Sequence, residues 1–325
     1  MVRHFSIGFK FSKMDQQISA VNRARVCLVV AALLWSVGGF FTRLLSTNTV
    51  LGLHEPALSS LQIAFYRAFF AGLVFLPLLR TRDLTFRPVM LLMVALFATM
   101  NALFVSAMVL GPAANAILLQ NTAPFWVYLV CVYGLGERHD RRVLQSLLIA
   151  MSGVGVIVVS GMLGHGFGDN QMAITAMAIG SSIMYGGVIL CLRELKNHSS
   201  MWLTTLNHLG TAVCLSAAIL LLHGPTFWWN WTIAPSGRQL AFLALFGAVQ
   251  MALPYALFAR GLKHVSPQEA GMIVLLEPLL NPLWTYLISP ETDTPTAATW
   301  IGGSLILGAL AWRYAPRKNR LDAAQ

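Results

Sequence analysis

Ten apolar runs, each about 20 residues long, punctuate the sequence at 26–45, 59–79, 89–110, 113–134, 143–163, 172–192, 201–222, 240–261, 265–287 and 297–313. A run of that length crosses the ~30 Å hydrocarbon layer of a bilayer as an α-helix. Within lipid, every backbone N–H and C=O needs a partner from the protein itself, so only helices or a closed barrel are admissible. Barrel strands are about 10 residues long and alternate apolar with polar positions. These runs are about twice that length and apolar on all sides, which selects helices. The composition agrees: 57% of residues are hydrophobic and 10% charged, against about 25% charged in soluble domains. The expected fold is therefore an all-α membrane protein of ten transmembrane helices.

The loops orient it. With the N-terminus placed inside, segments 1–25, 80–88, 135–142, 193–200, 260–264 and 313–325 are cytoplasmic and carry 19 of the 22 Lys and Arg. The outer segments 46–58, 111–112, 164–171, 223–239 and 288–296 carry only Arg238, and Arg43 and Arg67 fall inside helices. That asymmetry follows the positive-inside rule, and adding or losing one span would put alternate basic loops on the wrong side. It also accounts for the net charge of +10 without nucleic acid, since no basic stretch is interleaved with exposed aromatics. Phe227-Trp228-Trp229-Asn230-Trp231 reads as an interfacial aromatic belt on the outer side. The first apolar run ends at Thr42-Arg43 with no small-x-small cleavage site, so it reads as a retained helix after a cytoplasmic segment, 1–25. Met14 is an alternative start. Cys27, Cys131, Cys191 and Cys214 all lie in apolar runs without metal-ligand spacing and read as small buried hydrophobes.

The two halves resemble each other. A shift of 154 residues lays Ala102-Leu103-Phe104 on Ala256-Leu257-Phe258, Ala116 on Ala270, Pro124 on Pro278 and Glu137 on Glu291. A rival shift of 158 matches 124–129 with 282–287 but loses the glutamate, and a shift of 150 pairs Trp35 with Tyr185 and Arg43 with Arg193. The repeat is five helices long, and an odd number inserts the second copy upside down. Inverted repeats mark secondary transporters that bind substrate near the midplane.

Several motifs then resemble a known group. Ala31-Ala32-Leu33-Leu34-Trp35-Ser36, Tyr66-Arg67-Ala68, Pro124 with Gly136-Glu137, and Leu276-Glu277-Pro278 with Glu291 look like the drug/metabolite transporter superfamily, specifically its EamA-type permeases. The likeness covers nearly all of the chain beyond residue 25 and departs at Ser289-Pro290-Glu291, where Gly-Glu is expected. It implies two EamA-like repeats, 26–163 and 172–313, and a cytoplasmic tail, 314–325. It also implies a multi-pass permease of the plasma (inner) membrane with both termini cytoplasmic, often an exporter of amino acids, other metabolites or drugs. The family shares no single substrate, so the fold cannot name one.

Charges at membrane depth are costly and usually functional. Arg67 and Glu277 lie near helix centres. Arg67 can hold a substrate carboxylate, and Glu277 a proton or a substrate amine; pinning of helix packing, with the two paired to each other, is the structural alternative. Asn101, Gln120, Asn121, Asn207, His208 and Gln250 sit near mid-helix, and in lipid they either bond across helices or line a cavity for a polar ligand. Trp35 and Tyr185 can form an aromatic wall. Pro124 and Pro278 are candidate gating kinks. The expected substrate site is thus Trp35, Arg67, Asn101, Gln120, Asn121, Tyr185, His208, Gln250 and Glu277. No cofactor or metal is expected, because one deep histidine and one deep carboxylate make too few ligands. The same shortage argues against an intramembrane enzyme, and Ser181 and Ser182 sit in no nucleophile motif. No nucleotide-binding loop is present, so a proton gradient and facilitated flux are both compatible drives. A membrane sensor or structural protein is a third reading, but the loops are too short to hold a soluble domain. Oligomeric state is not written in the sequence.

Overall fold

The computed structural model describes residues 3–136, 141–165, 169–261, 264–265, 273 and 276–314. All regular structure among them is helical. In chain order the helices are α1 (Arg3–Ser36), α2 (Gly38–Ser46), α3 (Ser60–Phe75), α4 (Pro88–Leu110), α5 (Ala113–Gln120), α6 (Ala123–Leu129), α7 (Arg141–His165), α8 (Asp169–Glu194), α9 (Ser200–Ile233), α10 (Gly237–Phe246), α11 (Leu253–Gly261), α12 (Leu276–Ile288), α13 (Pro290–Asp293) and α14 (Ala297–Tyr314). Among the described residues eight helical stretches are long and apolar enough to cross a membrane, from Ser19–Ser46 to Gly237–Phe258. The ninth expected span, 265–287, lies partly outside the described residues, and its described part is α12. The tenth corresponds to α14. Glu137 and Ala270, two of the repeat markers, lie outside the described residues, as does the tail beyond Tyr314.

Helix packing follows a regular scheme. α1 packs on α11, α4 on α8, α3 on α9, α5 on α12 and α7 on α14. Two ends of the bundle can be told apart. At the basic end, near Arg80, Arg82, Arg193 and Lys196, the indole N–H of Trp202 donates to the Thr85 carbonyl at 2.8 Å. Met90, Met93 and Phe97 of α4 close a core there with Val188 and Leu195. At the far end Phe41, Leu45, Ile63, Val105, Leu215, Leu243 and Phe246 form another, with the Phe41 and Phe246 rings stacked at 4.9 Å.

Two helix starts at the far end use the same local device. Ser59 and Ser236 cap α3 and α10, and the Gln three positions later, Gln62 or Gln239, completes a capping box. Each glutamine then spends its amide N–H groups across the end. Gln62 donates to the Trp231 carbonyl at 2.7 Å, and Gln239 to the Leu53 and Pro56 carbonyls at 2.9 and 2.8 Å.

Several expectations about boundaries change. Helix α1 starts at Arg3 rather than near Val26; residues 10–25 contain no proline or glycine to stop it. It breaks at Val37, where Gly38 and Gly39 let the chain run close to neighbours: a Cβ on Gly39 would meet Asn281 and Thr285 at 2.5 and 2.3 Å. The expected outer segment 223–239 is helical as far as Ile233. Gly224, at φ 82°, turns the chain, and Pro225 starts a new stretch, a position where its missing N–H costs nothing. The aromatic belt divides accordingly. Phe227 and Trp229 are exposed, while Trp228 donates to Ser216 and Trp231 to Ser59. The span 113–134 is interrupted at Asn121-Thr122 and closes in a π-turn, Val130–Gly134. Pro124 therefore stands in the first turn of α6, not in a helix interior. Pro278 is in the first described turn of α12, whose interior proline is Pro282. The departure at Ser289 is the end of α12, followed by the short α13.

Candidate functional site

The middle of the bundle holds a cavity of about 310 Å³. All nine residues expected at a substrate site line it: Trp35, Arg67, Asn101, Gln120, Asn121, Tyr185, His208, Gln250 and Glu277. They come from eight of the expected spans, so the bundle gathers positions up to 242 residues apart, Trp35 and Glu277. Of the two candidate gating prolines, Pro278 is not among the described residues that line it, and the Pro124 side chain lies outside what the structure describes.

Arg67 is 3% exposed and donates from Nη2 to Asn101 Oδ1 at 2.6 Å. Asn101 in turn donates to the Phe97 carbonyl one turn back, at 3.0 Å, which fixes its oxygen toward the guanidinium. The Arg67 carbon Cζ lies 5.6 Å from the centre of the Phe246 ring, a cation–π contact. Among the described residues no salt bridge joins Arg67 to Glu277, and the cation is held by an amide and a ring. The pairing of the two charges raised from sequence is therefore not the arrangement adopted.

Five buried polar atoms on the cavity wall have no hydrogen-bond partner among the described residues: Arg67 Nε, Asn207 Oδ1, both ring nitrogens of His208, and Gln250 Oε1. Gln250 donates its other amide atom to the Trp35 carbonyl at 3.3 Å. His208, fully buried, is stacked on Phe97 at 5.3 Å and meets Tyr255 edge-on at 5.6 Å. An unpaired buried polar group costs about 1–3 kcal/mol. Several of them facing one cavity favour a polar occupant over an apolar one.

The rest of the wall is aromatic. Trp35 meets Tyr255 edge-on at 5.2 Å and Phe258 at 5.3 Å. Trp35 and Tyr185 line the same cavity, with Tyr255 and Phe258 beside Trp35. Phe104 and Phe258, paired by the Ala-Leu-Phe repeat, both line it; the sequence reading used that motif to set the repeat and overlooked it as a site. Tyr255 was missed too, although the 154-residue shift sets it opposite Asn101.

A second polar cluster was overlooked altogether. Arg43 of α2 forms a salt bridge with Asp293 of α13 at 2.6 Å. It also donates to the Val109 and Gly111 carbonyls at the end of α4, at 3.3 and 2.6 Å. Asp293 accepts from Arg43 Nη2 and from the Ala113 backbone N–H, both at 3.0 Å. The sequence reading names Arg43 only as lying inside a helix and as the repeat mate of Arg193, and does not name Asp293.

Comparison with known proteins now fixes the family. The model of the EamA-like transporter family matches residues 23–159 and again residues 172–314. The chain belongs to the EamA-like transporter family. A relative described as an uncharacterized transporter, from Archaeoglobus fulgidus, is 30% identical over 78% of this chain and 87% of its own length. A pseudopaline exporter of Pseudomonas aeruginosa is 24% identical over 78% of this chain and 86% of its own. A crystal structure at 19% identity shares the fold with a TM-score of 0.57, covering 89% of this chain and 96% of its own. This EamA-like chain is thus a multi-pass membrane protein of a transporter family, and its central cavity is the candidate place for cargo.

Proposed function

We propose that the protein is a secondary transporter of the plasma membrane that exports small organic metabolites or amino acids by alternating access at the central cavity. The observation that carries this reading is the cavity wall: a buried cation, a carboxylate, unpaired amide and imidazole atoms and an aromatic face, all turned on one space of about 310 Å³. Arg67 takes a substrate carboxylate, because among the described residues its guanidinium has one hydrogen-bond partner, Asn101, and an unpartnered Nε. Glu277 takes an amine or carries a proton. Trp35, Tyr185, Tyr255 and Phe258 take the apolar part of the cargo. Export is supported by the name of the pseudopaline exporter among the relatives.

The chain has ten spans in two inverted five-helix repeats, 26–163 and 172–313, with both termini cytoplasmic. The packing scheme supports this: exchanging each span for the one five later turns the contact of α1 with α11 into that of α8 with α4, and maps the contacts of α3 with α9, α5 with α12 and α7 with α14 onto themselves. A two-fold relation of this kind is what alternating access by inverted repeats requires.

The test is flux in proteoliposomes with zwitterionic amino acids, their decarboxylated amines and their N-acylated acids. Saturable transport of the zwitterion, lost in Arg67→Gln by tenfold or more, is expected. In Glu277→Gln, rate and pH dependence should both change. A Gln variant with unaltered rate and pH profile removes Glu277 from cargo and proton handling, and no saturable flux of any compound removes the transport reading.

A further inference from the structure

We propose that Arg43 and Asp293 form the gate that closes the transport path at the far end of the bundle, and that the structure shows this gate shut. The proposal rests on the transporter reading. Three observations carry it.

The cavity is asymmetric along the bundle. Toward the basic end its wall reaches Leu192, Thr204 and Phe258, within about one helical turn of the helix ends at Glu194, Ser200 and Gly261. Toward the far end it stops at Phe104 and Gln120, six and seven residues from Leu110 and Ala113. At 1.5 Å per residue, roughly 10 Å of closed protein lies beyond them.

That closed layer has a second pocket on its other side. It measures about 380 Å³ and is lined by Arg43 and Asp293 together with Asn115, Gln171, Glu291 and Thr299. A space in the middle of the bundle and another at its far end, each with polar groups in its wall and with one layer between them, are the layout of a path interrupted by a gate.

The layer is tied by charge in addition to the apolar core around Phe41, Leu45 and Val105. Arg43 is 4% and Asp293 1% exposed. The pair joins the first span to the turn after the ninth and, through Val109, Gly111 and Ala113, to the connection between the third and fourth. Separating α2 from α13 breaks both Arg43–Asp293 hydrogen bonds together, while Arg43 keeps its carbonyl partners at the end of α4 and Asp293 keeps the Ala113 N–H. Removing one partner of a buried pair leaves the other charge uncompensated in a dry site, which disfavours the closed arrangement relative to one that lets water in.

The experiment reads accessibility and needs no substrate, so it stands apart from the flux test. In the full chain with its four cysteines replaced, Phe104→Cys on the cavity wall is labelled by a membrane-impermeant maleimide in right-side-out and inverted vesicles. With Arg43 and Asp293 intact, labelling should occur from the basic-end side alone. Asp293→Asn, nearly the same shape without the charge, should raise labelling from the far side at least tenfold, and Arg43→Lys, which keeps the charge but not the fork, should raise it less. Far-side labelling unchanged in a folded Asp293→Asn protein overturns the proposal. As a second measurement independent of variant stability, Arg43→Cys/Asp293→Cys joined by a bifunctional thiol reagent should stop flux, and reduction of the reagent's disulfide should restore it. Flux that continues through the crosslink makes the pair a fixed strut and also overturns the gate.

Discussion

Arg67 shows how a cation is kept inside an apolar bundle without a carboxylate. Asn101 holds it through one amide oxygen, and Phe246 offers the face of its ring. Removing one partner of a hydrogen bond to a charged group costs about 1.5–3 kcal/mol. Asn101→Leu should therefore lower the thermal midpoint in detergent by several degrees, at about 2–4 °C per kcal/mol for chains of this order. Adding Arg67→Leu should recover part of that loss, because the stranded charge goes with it. A thermal-shift double-mutant cycle checks this, and strictly additive losses would show that the two residues do not depend on each other. The nine cavity residues were legible from the sequence because polar side chains in apolar runs stand out. Arg43 and Asp293 were not, because one sits near a helix end and the other in a loop-like segment where charge is ordinary.

At the scale of the element, close approach decides which helices pair. Gly153 of α7 and Gly302 of α14 face each other so closely that a Cβ on either would stand 2.5 Å from the carbonyl oxygen of the other. Gly155, two residues along, has open space around it. Gly153→Ala should cost about 1–3 kcal/mol through forced separation of the helices, whereas Gly155→Ala should be neutral or slightly stabilising through helix propensity. Thermal unfolding of the two variants in the same detergent separates the cases; equal midpoints would mean that the α7–α14 contact is not set by these glycines. These glycines are visible in the sequence, but spacing alone does not say which partner helix they meet. Element boundaries were hidden for a similar reason: Gly224-Pro225 reads as the end of a helix, yet the structure uses it as a corner, with Trp228 and Trp231 bonded back onto α9 and the start of α3.

For the whole molecule, the distribution of charge makes the sharpest prediction. Nineteen of the 22 Lys and Arg fall on one side only if the chain crosses ten times. Reporter fusions after residue 325 and after Arg138 should both be active on the cytoplasmic side, and one after Arg238 on the other; a C-terminal reporter on the outside would require an odd number of spans. The pairing of α1 with α11 and of α4 with α8 is compatible with the proposed ten-span scheme.

The sequence by itself determined the solvent, the helical class and the polar residues available at depth, since lipid punishes every unpaired backbone group and every charge wherever it falls along the chain. It did not determine which polar residues would be satisfied by neighbours and which left facing space. That depends on distances between helices far apart in sequence, and only the tertiary structure decided it: Asn101 meets Arg67, Asp293 meets Arg43, and Asn207, His208 and Gln250 keep unpaired atoms on the cavity wall.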